Sequence, residues 1–518
     1  MRSRGRLLEA GVIVLIVGLA AYLRLANLRD NPAWYTDEGT HLDIARHLIT
    51  GRVQYLAIDD SLLLFSRLPL FEGLLALAVR LWGVDILTLR SLTAALGTFT
   101  VLTMFVVVRR ITRESQLALW AALLLAISPS AVLYSRFGFS YNLLPPLMLI
   151  ALWGLIDYSR AVSRKRYLAV AACSIGLGAL ADLWMLVLIA PLALIVIVRR
   201  RRDLAWSAPL AVLPLGGYLL IGWAAQPQAV SFDLNFVLSR INQLSIAQQI
   251  ETLWQNVMTL SAQEAWFVIG FSGLALLPSR SFRGIALAFA AMPFVLLART
   301  TALFNLSAYY LIPLWPLLAL GVAGAIWRVA ALGFVGRVIA IGLAGLIGLS
   351  TVPPLIDQIQ TRFRAEIDPF LIDASAARAV AAFVNARVDR GDLVMASPGV
   401  AWLIESQVAD MQMPTAYGGL ATPHLPANVP GDRWVFDPSY ERARFVIVDN
   451  LWRNWAVPNV PGARAMLSEV GMWPLALKTG EIEVYANPRW FESSGLYGSK
   501  RFVGGPDRRV DLGIAVRQ

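Results

Sequence analysis

Thr36-Asp37-Glu38-Gly39 puts two adjacent carboxylates just after the first apolar segment of the chain, which runs to about residue 28. Acidic side chains beside hydrocarbon are costly unless they bind or react with something. Partial burial would raise the pKa of Asp37 and suit it to take a proton from an incoming hydroxyl. An Asp ahead of a helical run is also a favoured N-cap; the interfacial setting and the second acid favour the chemical reading. Glu38 would support Asp37 by hydrogen bonding or by shaping the field. His41 lies one helical turn further on, so Asp37, Glu38, His41 and Asp43 could together hold a divalent cation. Their mixed types and generic spacing argue against it, and no metal or other cofactor is expected to be required.

Cations expected at the same face complement the acids. Arg67 precedes Leu68-Pro69, and Arg136 closes Tyr134-Ser135-Arg136; Arg90 and Arg299 are two more. A guanidinium offers paired N–H donors to phosphate, while the bland alternative is snorkelling to lipid headgroups. Asp182, Tyr309 and Tyr310 are candidate cavity-lining residues, each with an ordinary reading as a wet turn or an interfacial aromatic belt. His47 reads as interfacial and His424 as a loop residue. The chain lacks a phosphate-binding Gly-Lys-Ser/Thr loop, a dinucleotide fingerprint and a nucleophile elbow, which disfavours ATP-driven transport and use of nucleotide sugars.

The elements that must position these groups are membrane helices. The 518 residues are 57% apolar and 15% charged, with mean hydropathy +0.60, outside the range of soluble globular proteins. Hydropathy predicts about eleven spans, near 7–28, 89–108, 116–135, 141–159, 167–182, 183–198, 205–224, 263–278, 283–299, 306–327 and 335–355. Basic clusters sit at every second junction, from Arg2-Arg4-Arg6 through Arg109-Arg110-Arg113 and Arg199–Arg202 to Arg328-Arg337. The positive-inside rule therefore explains the net charge of +11 without nucleic acid. It makes the N-terminus cytoplasmic and the loops 29–88 and 225–262 extracytoplasmic, together with the C-terminal region. The first span lacks a clean cleavage site and is not read as a cleaved signal peptide. Segment 69–84 is apolar but short, and is expected to dip into the outer interface rather than cross. Interfacial helices are predicted over 37–50 and 69–83. The only cysteine, Cys173, rules out an intrachain disulfide and a thiolate metal cluster.

Beyond Pro353-Pro354 the composition turns polar. A helix near 373–390, stopped by Gly391, and β-branched runs at 393–395, 445–448 and 482–485 predict a small α/β domain. The expected division is a membrane domain over 1–356, including the long outer loop 29–88, then an extracytoplasmic α/β domain over 357–490 and a weakly ordered tail over 491–518.

In order along the chain, these motifs resemble the GT-C glycosyltransferases, in the branch of protein O-mannosyltransferases and aminoarabinose transferases. The resemblance rests on Tyr35-Thr36-Asp37-Glu38-Gly39, on Arg67-Leu68-Pro69-Leu70 where the family has a basic residue and Pro-Pro-Leu, and on Leu89 to Gly97. It continues through Ser128-Pro129, Tyr134-Ser135-Arg136 and Tyr310 to Leu317. It covers roughly the first 355 residues, strongly to about 150. An acid that many relatives carry shortly after Tyr-Ser-Arg has no counterpart in Ser140-Tyr141-Asn142, and a basic group expected between the fifth and sixth spans is replaced around Asp182.

The resemblance implies a polytopic α-helical membrane enzyme of the cell inner membrane. It would move a sugar from a polyprenyl-phosphate carrier to an acceptor hydroxyl on a glycan, lipid or protein at the outer face. Asp37 would act as base with Glu38 beside it, and Arg67 and Arg136 would hold the donor phosphate; one direct displacement would invert the anomeric centre. Two other classes fit the same topology, a lipid-linked-sugar transporter or flippase and a catalytically silent membrane scaffold. Few ionisable residues lie near span midpoints and no internal repeat is visible, which disfavours a carrier.

Overall fold

The computed structural model describes residues 2–59, 68–161, 165–241, 244–299, 309–360 and 368–493. Arg67 and the part of the tail beyond 493 lie outside the described residues. The chain divides into two compact units. The first is Met1–Asn31, Ser66–Ala78 and Leu87–Arg362; the second is Pro32–Phe65, Val79–Ile86 and Phe363–Gln518. Among the described residues, 32–59 belong to the second unit.

The helices most relevant here are α1 (Arg2–Leu25), α2 (Thr36–Leu48), α3 (Pro69–Trp82), α4 (Ile86–Thr112) and α5 (Ser115–Ile127). They continue with α6 (Pro129–Arg136), α7 (Leu144–Arg160) and α8 (Lys165–Ala179). In hydrocarbon every backbone polar group needs an internal partner, so apolar runs of this length fold as helices. Among the described residues six helical stretches are long and apolar enough to cross a membrane. They are Leu7–Leu25, Ile86–Thr112, Ser140–Arg160, Leu183–Ala225, Arg280–Leu297 and Phe334–Gln360. A seventh span results if α5 and α6, bent by 56° at Ser128-Pro129, form one.

The predicted spans do not map one to one onto these. Those at 183–198 and 205–224 fall in the stretch Leu183–Ala225, where the helices Ile189–Arg200 and Leu204–Ala225 are separated by a turn at Arg201–Asp203. Those at 167–182 and 263–278 contain the helices Lys165–Ala179 and Ala265–Leu274, and that at 306–327 begins outside the described residues and continues as Trp315–Ala330. Hydropathy counts apolar residues whether or not the helix through them is continuous, and it misses breaks such as Ser128-Pro129. The α3 helix has 14 residues, about 21 Å at 1.5 Å per residue, too short to cross.

Close packing in the first unit uses glycine. A Cβ on Gly321 would lie 1.7 Å from the Gly270 carbonyl oxygen, and one on Gly273 would lie 2.1 Å from that of Gly321. The helices Ala265–Leu274 and Trp315–Ala330 therefore meet backbone to backbone, as small residues allow in membranes.

The second unit is built on strands β1 (Trp34–Tyr35), β2 (Gln54–Tyr55), β3 (Ile58–Asp59), β4 (Leu371–Ile372) and β5 (Leu393–Met395). To these it adds β6 (Gln407–Ala409), β7 (Ala443–Val448), β8 (Leu475–Thr479) and β9 (Ile482–Ala486). The main sheet has order β6-β5-β7-β9-β8. Its β5 runs parallel to both β6 and β7, and β9 is antiparallel to β7 and β8. Of its strands, β6 and β8 are ones the sequence reading did not give. The helix predicted near 373–390 spans Ala374–Asn385, capped by the Asp373 carboxylate on the Ala376 amide, and ends before Gly391.

Candidate active site

The acidic motif is positioned by a strand and a helix start. Trp34 and Tyr35 pair antiparallel with Ile372 and Leu371, and the Thr36 amide donates to the Phe370 carbonyl at 3.0 Å. This anchors the entry to α2 on the C-terminal segment. The Tyr35 amide then donates to Glu38 Oε2 at 2.8 Å, the returning half of a capping box. Glu38 is fully buried, and this bond ties its carboxylate to the helix start. Asp37 is half-buried in the first turn of α2, where the helix dipole favours negative charge.

The rest of α2 is clamped inside the second unit. A Cβ on Gly39 would sit 1.8 Å from the Pro398 carbonyl oxygen, so the helix packs directly on backbone after β5. Asp43, completely buried, accepts from the Leu56 amide at 2.8 Å and pairs with Arg46 at 2.6 Å and His47 at 3.6 Å. Burial pushes its carboxyl up, but Arg46 and His47 outweigh this and hold it below the usual carboxylate value. These partners draw Asp43 away from the cation grouping considered with Asp37, Glu38 and His41. His41 is buried one turn beyond Asp37. Among the described residues no three His, Cys, Asp or Glu side chains are arranged to hold a metal ion.

Sequence reasoning missed the residues at the carboxyl ends of the parallel strands, the edge where open α/β sheets bind ligands. Asp410 follows β6, Ser397 follows β5 and Asp449 follows β7. Tyr55 Oη donates to Asp410 Oδ2 at 3.2 Å, and Ser397 Oγ donates to Asp449 Oδ2. Burial pushes the Asp410 carboxyl up to about 6, against hydrogen bonds from Gln412, Tyr55 and Met413. The Asp449 carboxyl is raised for the same reason. Here α2 and its following hairpin take the place of a ligand at this edge. The available signal was Asp449 directly after the β-branched run 445–448; Gln407-Val408-Ala409 before Asp410 gives no such signal.

In the first unit Arg136 is buried and donates to four carbonyls at the end of α1. They are Leu23 at 3.0 Å, Arg24 at 3.3 Å, Asn27 at 3.3 Å and Asn31 at 2.7 Å. Arg24 does the same for α5, donating to Leu125 and Ala126 at 3.1 Å each. Arg90 is buried, with one donor on the Leu28 carbonyl at 3.1 Å and Phe137 beneath its guanidinium at 5.7 Å. Of the expected outer cations, Arg136 and Arg90 thus bind carbonyls at and beyond the end of α1, a role that suits guanidinium because helix carbonyls carry partial negative charge. Arg299 is exposed.

Tyr309 and Tyr310 are brought beside the segment that follows Arg136. Tyr309 stacks on Phe139 at 4.7 Å, and Tyr141 contacts Tyr309 and Tyr310 at 5.6 Å each. Tyr134 stacks on Trp315 at 6.5 Å, and Trp315 Nε1 is buried with no hydrogen-bond partner among the described residues. The result is a cluster of aromatic rings. Asp182 caps a short 3-10 turn by accepting from the Trp184 amide at 2.8 Å.

Comparison with known proteins places this arrangement. The chain is similar to ArnT from Cupriavidus metallidurans in the apo state, with TM-score 0.65 and 14% identity over 92% of this chain and 98% of that one. The similarity is nearly the same, TM-score 0.64, to ArnT bound to undecaprenyl phosphate. The chain has the GT-C glycosyltransferase fold. The GT-C similarity extends to the oligosaccharyltransferase AglB from Archaeoglobus fulgidus, in complex with an inhibitory peptide and a dolichol-phosphate, at TM-score 0.54 and 13% identity over 94% of this chain and 75% of that one. Residues 66–226 match the family model for dolichyl-phosphate-mannose-protein mannosyltransferase. An uncharacterized protein of Aquifex aeolicus (strain VF5) is 27% identical over 127 residues, 24% of this chain and 25% of that relative's length. The matched part therefore spans about a quarter of that curated relative.

Proposed function

We propose that the protein is a membrane glycosyltransferase that moves a sugar from a polyprenyl-phosphate carrier to an acceptor hydroxyl at the outer face, with Asp37 as base. The supporting observation is the first turn of α2. There Glu38 is tied to the Tyr35 amide, and Asp37, its half-buried neighbour, is the carboxylate suited to take a proton. The GT-C fold and the family match over residues 66–226 support the class of donor. A phosphate leaving group needs its charge neutralised rather than a proton, so guanidinium groups suit it. Arg67 is assigned this role from the motif order along the chain. Arg136, whose N–H groups bind carbonyls, contributes charge rather than hydrogen bonds. Acceptor deprotonation and carbon–oxygen bond formation then proceed as one displacement that releases polyprenyl phosphate and inverts the anomeric centre.

The test is Asp37→Asn in purified protein supplied with lipid-linked sugar and acceptor. Transfer is expected to fall at least 100-fold, the scale of a lost general base, with the thermal midpoint unchanged. Full turnover by this variant would remove the assignment.

A further inference from the structure

The helix ends on the side expected to be cytoplasmic carry a feature that the transfer reading does not use. A cavity of about 370 Å³ is lined by Arg109, Arg110, Arg113, Asp157, Arg160 and Tyr167, from the ends of α4 and α7 and the start of α8. Its walls are tied together. Arg160 donates to the Ile111 carbonyl at 2.6 Å and lies 3.6 Å from Asp157, and Arg109 reaches Glu9 at 2.8 Å and the Arg113 carbonyl at 2.5 Å. Trp153 lies under the Arg110 guanidinium at 5.0 Å and donates its indole N–H to Asp157 at 2.8 Å. Four arginines thus face two carboxylates, and no carboxylate pairs with Arg110 or Arg113 among the described residues.

Two features separate this cluster from an ordinary positive-inside loop. Arg110, Arg113 and Arg160 are exposed, yet together with the half-buried Arg109 they line a single cavity whose wall includes Tyr167. Arg113 also ends α4 with φ +62, the left-handed conformation that usually falls to glycine. That turn brings an uncompensated guanidinium to the cavity. Guanidinium forks match phosphate oxygens, and basic pockets between membrane helices on this side recognise phosphorylated headgroups.

We propose that this cavity binds a phosphorylated anion, carried on the headgroup of an anionic phospholipid or present as a soluble phosphate. The site is separate from sugar transfer. The test uses the full chain in phosphatidylcholine nanodiscs and in detergent, with cardiolipin, phosphatidylglycerol and inorganic pyrophosphate as probes. At least one probe is expected to raise the thermal midpoint, and cardiolipin is expected to remain bound in native mass spectrometry if the source is lipid. Stabilisation by pyrophosphate but not by either lipid identifies a soluble phosphate instead. The variant Arg113→Gly separates binding from folding, because glycine takes the same φ freely and keeps the carbonyl that Arg109 holds. It should be at least as stable in phosphatidylcholine, retain transfer activity, and bind the effective probe roughly tenfold more weakly; Arg110→Gln should weaken it by a similar factor. No response to any probe beyond that to phosphatidylcholine, or equal responses in wild type and both variants, overturns the proposal.

Discussion

At the scale of the residue, the groups with the most chemical potential serve different ends. Glu38 and Arg136 both look reactive, yet each is bound to backbone at a helix end. Replacing Arg136 with Lys removes the planar fork that reaches four carbonyls, so the purified protein should lose about 3 kcal/mol or more of stability and melt several degrees lower. If Arg136 acted only on donor phosphate, the same variant would raise the apparent KM without lowering the melting point. Asp410 makes a pH-dependent contribution. Its pKa rises from 3.8 to about 6 in the folded state, so the native form holds the proton more tightly. That contribution is complete below about 3.8 and is lost as pH rises through about 6, at most about 3 kcal/mol by linkage. Asp410→Asn should therefore remove part of the slope of stability against pH between 4 and 6, read as the difference between two melting curves. Parallel curves would show that the Asp410 proton is not linked to folding.

Among the elements, α2 depends on a backbone contact that tolerates no side chain. Gly39→Ala places a methyl 1.8 Å from the Pro398 carbonyl oxygen. Overpacking of this kind costs about 3 kcal/mol, and hydrogen exchange along α2 should accelerate while the helices of the first unit stay protected. Unchanged exchange would mean the contact relaxes freely. This is also where sequence and structure diverge most clearly. The helices at 36–48 and 69–82 were legible, because apolar spacing and a capping acid are local signals. So were three strands of the main sheet, as short β-branched runs. The partners of α2 were not, since Gly39 against Pro398 and Tyr55 against Asp410 join residues more than 350 positions apart. Single-residue types carry no record of such pairings. Arg136 was recognisable as a special cation but not as a helix cap, because one arginine reads alike beside a phosphate or a carbonyl.

For the molecule as a whole, the decisive feature is the pairing of Trp34–Tyr35 with Leu371–Ile372. The ribosome makes the first of these strands more than 300 residues before the second. A nascent chain can insert its helices into the bilayer one after another, but the acidic helix has no permanent seat until the C-terminal segment has emerged. On the proposed role of Asp37, activity is timed by completion of synthesis, and a chain stopped by a nonsense codon near residue 360 would be embedded yet inert. Such a product should be as abundant in membranes as the full-length chain and give no sugar transfer, while its Asp37 loop is cut rapidly by added protease. Turnover by that shortened product would show that the late strand is dispensable.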